Sequence, residues 1–116
     1  MAGVVYHANY LKFMERGRTD YLRAHGIDLI TLFRQGVQFA VVEVNIKFIK
    51  PASLNDEIVV STHLAKLGGA KLVFEQTIAN KQALEQNLCQ AQIVVGCLDG
   101  SYKPLRIPEK LRKELV

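Results

Sequence analysis

The sequence predicts an α+β fold in which one long helix packs against an antiparallel sheet. Two observations lead to this prediction. Hydrophobic residues recur at helical spacing near the N-terminus, and four later segments alternate apolar and polar residues with mostly short links between them. Strands joined by hairpin-length links pair antiparallel, and a lone helix must bury its apolar side against one sheet face. A chain of 116 residues corresponds to one such domain, over residues 1–116.

The long helix is predicted from about Ala8 to His25, after a short apolar lead-in. The residues that recur at three- and four-residue steps are Leu11, Met14, Arg18, Tyr21 and Leu22. Gly26 supplies the C-terminal stop. Gly17 costs about 1 kcal/mol relative to Ala inside a helix, which indicates close approach to another backbone. A second, short helix is predicted over Asp28–Arg34, ending at Gly36.

Four strands are predicted after these helices: Phe39–Lys50, Glu57–Lys66, Lys71–Asn80 and Leu88–Leu98. The first is expected to be half-buried through its alternating apolar residues Val42, Val44, Ile46 and Phe48.

The links between the strands carry turn signals. Gly68-Gly69 predicts a tight β-hairpin turn between the second and third strands. Pro51 stops the first strand, and the other predicted links are the polar turn Ala52–Asp56, the polar loop Lys81–Asn87 and the turn Asp99–Ser101. Pro108 is expected to open a short C-terminal helix, Glu109–Leu115.

The composition narrows the class of protein. Hydrophobic residues make up 49% and charged residues 22%, as in an ordinary globular domain. No apolar run approaches the ~20 residues that span a bilayer, and no secretory signal is evident, so a cytosolic protein is expected. The net charge of +4 is scattered rather than gathered in a basic stripe, so nucleic-acid binding is not predicted.

The cysteines and histidines show no metal-ligand spacing, and no metal is predicted. Cys89 and Cys97 are eight residues apart in one predicted strand, roughly 26 Å at ~3.3 Å per residue, too far for a disulfide. Buried, inert thiols are expected instead. His25 and His63 are expected to serve structure.

The N-terminal segment carries a family resemblance. GVVYHANYL over residues 3–11, followed by FMERGR over residues 13–18, resembles the start of YbgC-like acyl-CoA thioesterases, relatives of the 4-hydroxybenzoyl-CoA thioesterases. KFIKPA at residues 47–52, DE at residues 56–57 and FEQ at residues 74–76 are similar as well. The resemblance implies a hotdog fold, in which an antiparallel sheet wraps around one long central helix, and hydrolysis of acyl-CoA thioesters.

The same resemblance implies partners. Coenzyme A arrives as part of the substrate, and neither a metal nor a redox cofactor is needed. A homodimer or homotetramer is expected, with sheets pairing edge to edge and sites at the subunit interface. Peripheral association with envelope or phospholipid machinery is implied for this branch.

Site residues follow from the resemblance position by position. The start of the long helix points at the thioester, so the backbone N–H of His7 is the expected oxyanion donor, and the His7 side chain matches a histidine of this branch. Val5, Tyr6 and Asn9 are expected to bind substrate. Asn9 could equally cap the helix, and Tyr6 and Tyr10 could be packing residues.

The family pattern also carries a catalytic aspartate seven residues before the histidine, preceded by a strand. Both positions fall before Met1, so we expect the native chain to extend upstream. Otherwise Glu15 becomes the catalytic base, or the protein binds acyl-CoA without hydrolysis and acts as an assembly partner. Without such a role, Glu15 belongs to a solvated or salt-bridged helix face.

Two lysines are the remaining candidates. Lys66 and Lys71 flank the predicted hairpin turn, where related enzymes hold the phosphates of coenzyme A. Lysines are also common at surface turns, so an ordinary surface role is the alternative.

Overall fold

The computed structural model describes the backbone of residues 2–50 and 57–116 and the side chains of residues 9–50 and 57–116. In chain order the elements are α1 (Ala2–Ala24), α2 (Leu29–Arg34), β1 (Gln38–Phe48), β2 (Ile58–Leu67), β3 (Lys71–Asn80), β4 (Ala83–Leu98) and α3 (Glu109–Leu115). The predicted α+β class is confirmed. The turn predicted over Ala52–Asp56 lies outside the described residues.

The start of α1 differs from the prediction. The helix begins at Ala2 rather than Ala8, because this segment contains no proline and its single Gly3 costs only about 1 kcal/mol once a long helix propagates. The N–H groups without intrahelical acceptors are those of the first four helical residues. His7 therefore lies in the second turn, so its N–H is not the predicted unpaired donor at the helix tip. Asn9 lies inside the helix and does not cap it.

The short helix α2 is stabilised by a side-chain cap. The Asp28 carboxylate accepts hydrogen bonds from the Ile30 N–H at 3.1 Å and the Thr31 hydroxyl at 3.0 Å. The Thr31 hydroxyl, followed by the Ile30 N–H, lowers the pKa of this carboxyl below its ordinary value. The cap is therefore complete at neutral pH and is lost as the pH falls through the lowered pKa. Gly26 and Gly36, with φ of 79° and 83°, follow the two helices as predicted.

The described strands form one antiparallel sheet in the order β1-β4-β3-β2. The predicted hairpin between β2 and β3 is confirmed. β1 pairs with β4 instead of its neighbour in sequence, so β1 and β2 lie at opposite edges of the described sheet.

The prediction of a loop over Lys81–Asn87 was wrong, because β4 already begins at Ala83. Lys81 and Gln82 alone form the turn. The Asn80 side-chain oxygen accepts a hydrogen bond from the Gln82 N–H at 2.9 Å, which stabilises this tight turn. The polar composition of the segment had indicated a longer loop. β4 is thereby 16 residues long and can pair with both β1 and β3.

A β-bulge in β1 changes which residues share a face. The register with β4 shifts between Val41 and Glu43, so one residue, Val42, has no partner across the ladder. Strict alternation would place Val41 and Val44 on opposite faces, but after the extra residue both face the same side of the sheet. The expected half-buried strand is largely exposed within one chain, with Val42 at 52% and Val44 at 47%.

The core lies between α1 and one face of the sheet, where β3 and β4 contribute most of the buried strand side chains. Its fully buried members include Met14, Leu72, Phe74, Ile78, Leu88, Ile93 and Ile107. Tyr21 of α1 meets the Phe74 ring edge-on at 5.7 Å, and His25 stacks on Tyr21 at 4.5 Å, in the structural role predicted for it. Among the described helices, none has the length and apolar character to cross a membrane.

The two cysteines occupy the positions predicted for them. Cys89 and Cys97 both lie in β4, buried and unbridged. Burial raises the pKa of both thiols, because a thiolate is disfavoured away from water. This agrees with the prediction of inert thiols.

α1 approaches the sheet closely at Gly17. A β-carbon there would lie 2.7 Å from Thr62 Oγ1, 3.1 Å from Gln76 Nε2 and 3.2 Å from Val60 Cγ1, so the close neighbours are side chains of β2 and β3 rather than the backbone of the sheet. Gly17→Ala is expected to lower the free energy of unfolding by about 1–3 kcal/mol, although Ala is the better helix former. Thermal or urea unfolding measures this.

The matched control is Gly100→Ala, where no heavy atom lies within 4 Å of the added carbon. That variant should unfold within about 0.5 kcal/mol of the parent. A Gly17→Ala protein as stable as the parent would show that α1 does not approach β2 this closely.

Candidate active-site cleft

An apolar cleft of about 380 Å³ lies between α1 and the sheet. It exists because α1 covers β2 and β3 and leaves the inner face of β1 and part of β4 open. The lining residues are Leu11, Lys12, Glu15, Arg18, Thr19, Leu22, Leu29, Phe39, Val41, Val44, Phe74, Ile93 and Val95. The bulge in β1 is what brings both Val41 and Val44 to this wall.

The polar residues of the cleft all come from α1. Lys12, Glu15, Arg18 and Thr19 follow one another at helical spacing along one side, facing the apolar strands. Among the described residues that line the cleft, Glu15 supplies the carboxylate. The structure thus places Glu15 at the edge of an apolar cleft with its side chain exposed, and its catalytic role stays a prediction.

Gln76 fixes the side of α1 that turns toward the sheet. This residue of β3 is 1% exposed, and its amide nitrogen donates to the Met14 carbonyl at 2.8 Å and to the Thr62 hydroxyl oxygen at 2.9 Å. Its amide oxygen accepts a hydrogen bond from Arg18 Nη1 at 2.8 Å. Because both nitrogen hydrogens are engaged, the oxygen has to point at Arg18.

The Arg18 guanidinium is half-buried as a result. Burial lowers its pKa below the ordinary value, and the nearby Glu15 carboxylate acts in the opposite direction. Sequence reasoning missed both Arg18 and Gln76 as site residues. A polar residue at a core-facing position of β3, between Phe74 and Ile78, was the available signal for Gln76.

Replacing Gln76 by Leu is expected to lower the free energy of unfolding by about 3 kcal/mol. The substitution leaves the Met14 carbonyl and the half-buried Arg18 without these hydrogen bonds while changing the side-chain volume little. Urea unfolding gives the value. Gln90→Leu, at an exposed position of β4, is the control and should unfold within about 0.5 kcal/mol of the parent. Equal stability of the two variants would contradict the anchoring role.

A second polar region lies at the β2–β3 turn. Lys66 and Lys71 are exposed on either side of it, and Arg106 Nη1 lies 3.6 Å from where a β-carbon of Gly69 would be. Arg112 donates a hydrogen bond to the Gly68 carbonyl at 2.7 Å, so α3 holds this turn in place. The predicted lysines therefore have an additional basic neighbour, Arg106, that the sequence did not single out.

The remaining predicted site residues lie near the start of α1. The side chains of Val5, Tyr6 and His7 are outside the described residues, and their roles stay predictions. Asn9 is half-buried, next to a buried Tyr10 that stacks on Phe48 at 6.4 Å, which confirms Tyr10 as a packing residue.

The two predicted catalytic residues are far apart in one chain. His7 precedes Glu15 by eight residues of α1, a rise of about 12 Å at ~1.5 Å per residue, and the catalytic roles of both stay predictions. Across the described part of the molecule, no three His, Cys, Asp or Glu side chains are arranged to hold a metal ion.

Comparison with known proteins decides the family. A family model described as the thioesterase superfamily matches residues 2–85. The chain belongs to the thioesterase superfamily. The match spans the chain from α1 to the start of β4 and includes the cleft-lining residues of α1, β1 and β3, while Ile93 and Val95 of the cleft lie beyond it.

Relatives within the superfamily agree with this membership. The chain is 35% identical over 113 residues to the acyl-CoA thioester hydrolase YbgC of Escherichia coli, covering 97% of this chain and 83% of that protein. It is 37% identical over 112 residues to the acyl-CoA thioesterase YbgC of Haemophilus influenzae, covering 95% and 80%.

A crystal structure of a probable thioesterase from Bartonella henselae superposes with a TM-score of 0.80 at 34% identity, over 93% of this chain and 88% of that one. The hotdog arrangement implied by the resemblance is thereby confirmed for this member of the thioesterase superfamily.

Proposed function

We propose that this protein hydrolyses acyl-CoA thioesters and holds the acyl group in the apolar cleft beside α1. The observation that carries the proposal is the cleft itself. It has apolar walls from β1, β3 and β4, and cations and the Glu15 carboxylate from α1. Membership of the thioesterase superfamily supports it, as do relatives named for acyl-CoA thioester hydrolysis.

The chemistry needs a base and a positive charge near one carbonyl. Glu15 accepts a proton from water, and the resulting hydroxide adds to the thioester carbonyl carbon. Lys12, one turn earlier on the same wall, stabilises the negative charge that develops on the carbonyl oxygen. The carbon–sulfur bond then breaks, and the proton passes to the departing thiolate of coenzyme A.

The coenzyme A portion is assigned to the β2–β3 turn. Lys66, Lys71 and Arg106 bring positive charge there, suited to phosphate groups. Leu72, next to Lys71, pairs with Val95 of the cleft wall, so the turn adjoins one end of the cleft. The acyl group and the phosphates are thereby accommodated by adjacent parts of one surface.

The assembly is assigned to a homodimer formed through β1. Beside Glu43, Asn45 and Lys47, this edge strand exposes four large apolar residues, Val41, Val42, Val44 and Phe48, whereas the exposed residues of the opposite edge strand β2 are Ser61, His63, Ala65 and Lys66. An exposed apolar strand edge readily pairs with another strand. Pairing two β1 edges extends the sheet and closes the open side of each cleft.

The reaction is assigned to the cytosol, in keeping with two free, buried cysteines and no disulfide among the described residues. Association with envelope or phospholipid machinery, implied by the resemblance, stays a prediction.

The deciding experiment is a thiol-release assay on the full chain with a panel of acyl-CoA esters that covers short aliphatic, long aliphatic and aromatic acyl groups. Release of coenzyme A from at least one ester, saturable and proportional to enzyme, is expected. Saturable binding of the esters without release at any enzyme concentration would replace hydrolysis by the non-catalytic binding role. If the protein neither releases coenzyme A from any ester nor binds any ester, the proposal is overturned.

A further inference from the structure

Arg18 is the charged group of the cleft that the proposed hydrolysis leaves unused. Its Nη1 donates to Gln76, and this is the hydrogen bond that the described residues show for the guanidinium. No carboxylate of the described residues lies within the 4.0 Å of an ion pair with it. The other N–H groups of the guanidinium are therefore available to a ligand in the cleft.

The guanidinium is held in place before any ligand arrives. Gln76 is fixed by its bonds to Met14 and Thr62, and its oxygen in turn orients Arg18. A side chain held in this way loses little further freedom on binding, so its interaction with a ligand is not offset by a large entropy cost.

The surroundings favour an anionic ligand. Lys12 and Arg18 give the cleft two positive charges, and Glu15 gives it one negative charge. The rest of its lining is apolar apart from Thr19. A half-buried cation facing apolar walls is stabilised by a matching anion, and a guanidinium fork fits both oxygens of a carboxylate.

We propose that Arg18 is a specificity-determining residue that selects acyl-CoA esters whose acyl chain ends in a carboxylate. This inference rests on the proposed thioester hydrolysis, with the thioester near Glu15. Arg18 lies three residues further along α1, about 4.5 Å at ~1.5 Å per residue. That spacing suits short dicarboxylic acyl groups such as succinyl and glutaryl.

The test compares esters matched in carbon number: succinyl-CoA with butyryl-CoA, and glutaryl-CoA with pentanoyl-CoA. The parent is expected to have the higher kcat/KM for each carboxylated ester. Arg18→Gln should lower kcat/KM for those esters about 10- to 100-fold and change it less than about threefold for the unsubstituted ones. Arg18→Lys, which keeps the charge without the fork, should give an intermediate value.

Arg16→Gln is the matched control, because Arg16 is exposed and does not line the cleft. In both ester pairs, this variant should leave the ratio of kcat/KM for the carboxylated ester to kcat/KM for the unsubstituted ester unchanged. An equal fall for both kinds of ester in Arg18→Gln would show a structural role alone and overturn the inference. A parent enzyme that prefers butyryl-CoA over succinyl-CoA would also overturn the inference, while the proposed hydrolysis would stand.

If no ester is cleaved, the proposed hydrolysis fails and calorimetry decides the inference separately. Tighter binding of succinyl-CoA than butyryl-CoA, lost in Arg18→Gln, would support the inference. Equal binding of the two esters would overturn it.

Discussion

Glu15→Gln is expected to lower kcat for thioester hydrolysis by about 100-fold or more, with little change in KM. The amide has nearly the same size and still lines the cleft, but it cannot accept a proton from water. Steady-state assays on the best ester of the panel measure the effect. Circular dichroism checks that the fold is kept.

Asp20→Asn is the matched control, because it also neutralises a carboxylate of α1. Asp20 pairs with Arg23 at 3.5 Å on the exposed side and does not line the cleft. Its kcat should stay within about twofold of the parent. If Glu15→Gln keeps more than a third of the parent activity, the base is not Glu15, and the reaction centre belongs near His7 and the start of α1.

Val42→Glu is expected to separate the proposed dimer into monomers. A carboxylate buried at a strand edge without a partner costs about 3 kcal/mol, which weakens dimerisation roughly 100-fold. Val42 is 52% exposed in the chain alone and does not line the cleft, so the cleft itself is left intact. Light scattering coupled to size-exclusion chromatography gives the molar mass directly.

Activity should fall together with the dimer, by at least about tenfold at micromolar protein, because the partner closes the open side of each cleft. Leu84→Glu places the same charge at another exposed apolar residue, 61% exposed and away from β1. That variant should remain dimeric and active. A Val42→Glu protein that stays dimeric would place the interface elsewhere.

The class of fold was predictable because it depends on local patterns. The alternation in Lys71–Asn80, the glycines after the two helices and the Pro108 start of α3 each determine local backbone geometry, and all were confirmed. The start of α1 and the turn at Lys81-Gln82 were missed for a different reason. Apolar and polar composition there is compatible with a loop, and only neighbouring structure selects the helix or the strand.

The candidate site was predictable only in part. Glu15 was singled out as the base to consider without the upstream aspartate because it is the first carboxylate of this sequence, and the structure places it at the wall of the cleft. Arg18 and Gln76 are 58 residues apart in sequence, and their hydrogen bond depends on how α1 lies across β3. Such a long-range pairing leaves no periodic trace in the sequence, so side-chain contacts of this kind appear only with the fold.

Because Val42 has no partner in β4, the residues of β1 that face the cleft are odd-numbered before Val42 and even-numbered after it. Before it, Phe39 and Val41 reach the cleft; after it, Val44 does. Deleting Val42 would leave Val41 and Val44 two residues apart in an even ladder, so both would still face the cleft. If Val42 were kept but the bulge were lost, one half of β1 would turn its side chains to the opposite face. Which β1 side chains line the cleft therefore depends on the bulge being kept whenever the extra residue is present, because regular pairing would remove either Val44 or the pair Phe39 and Val41 from this wall.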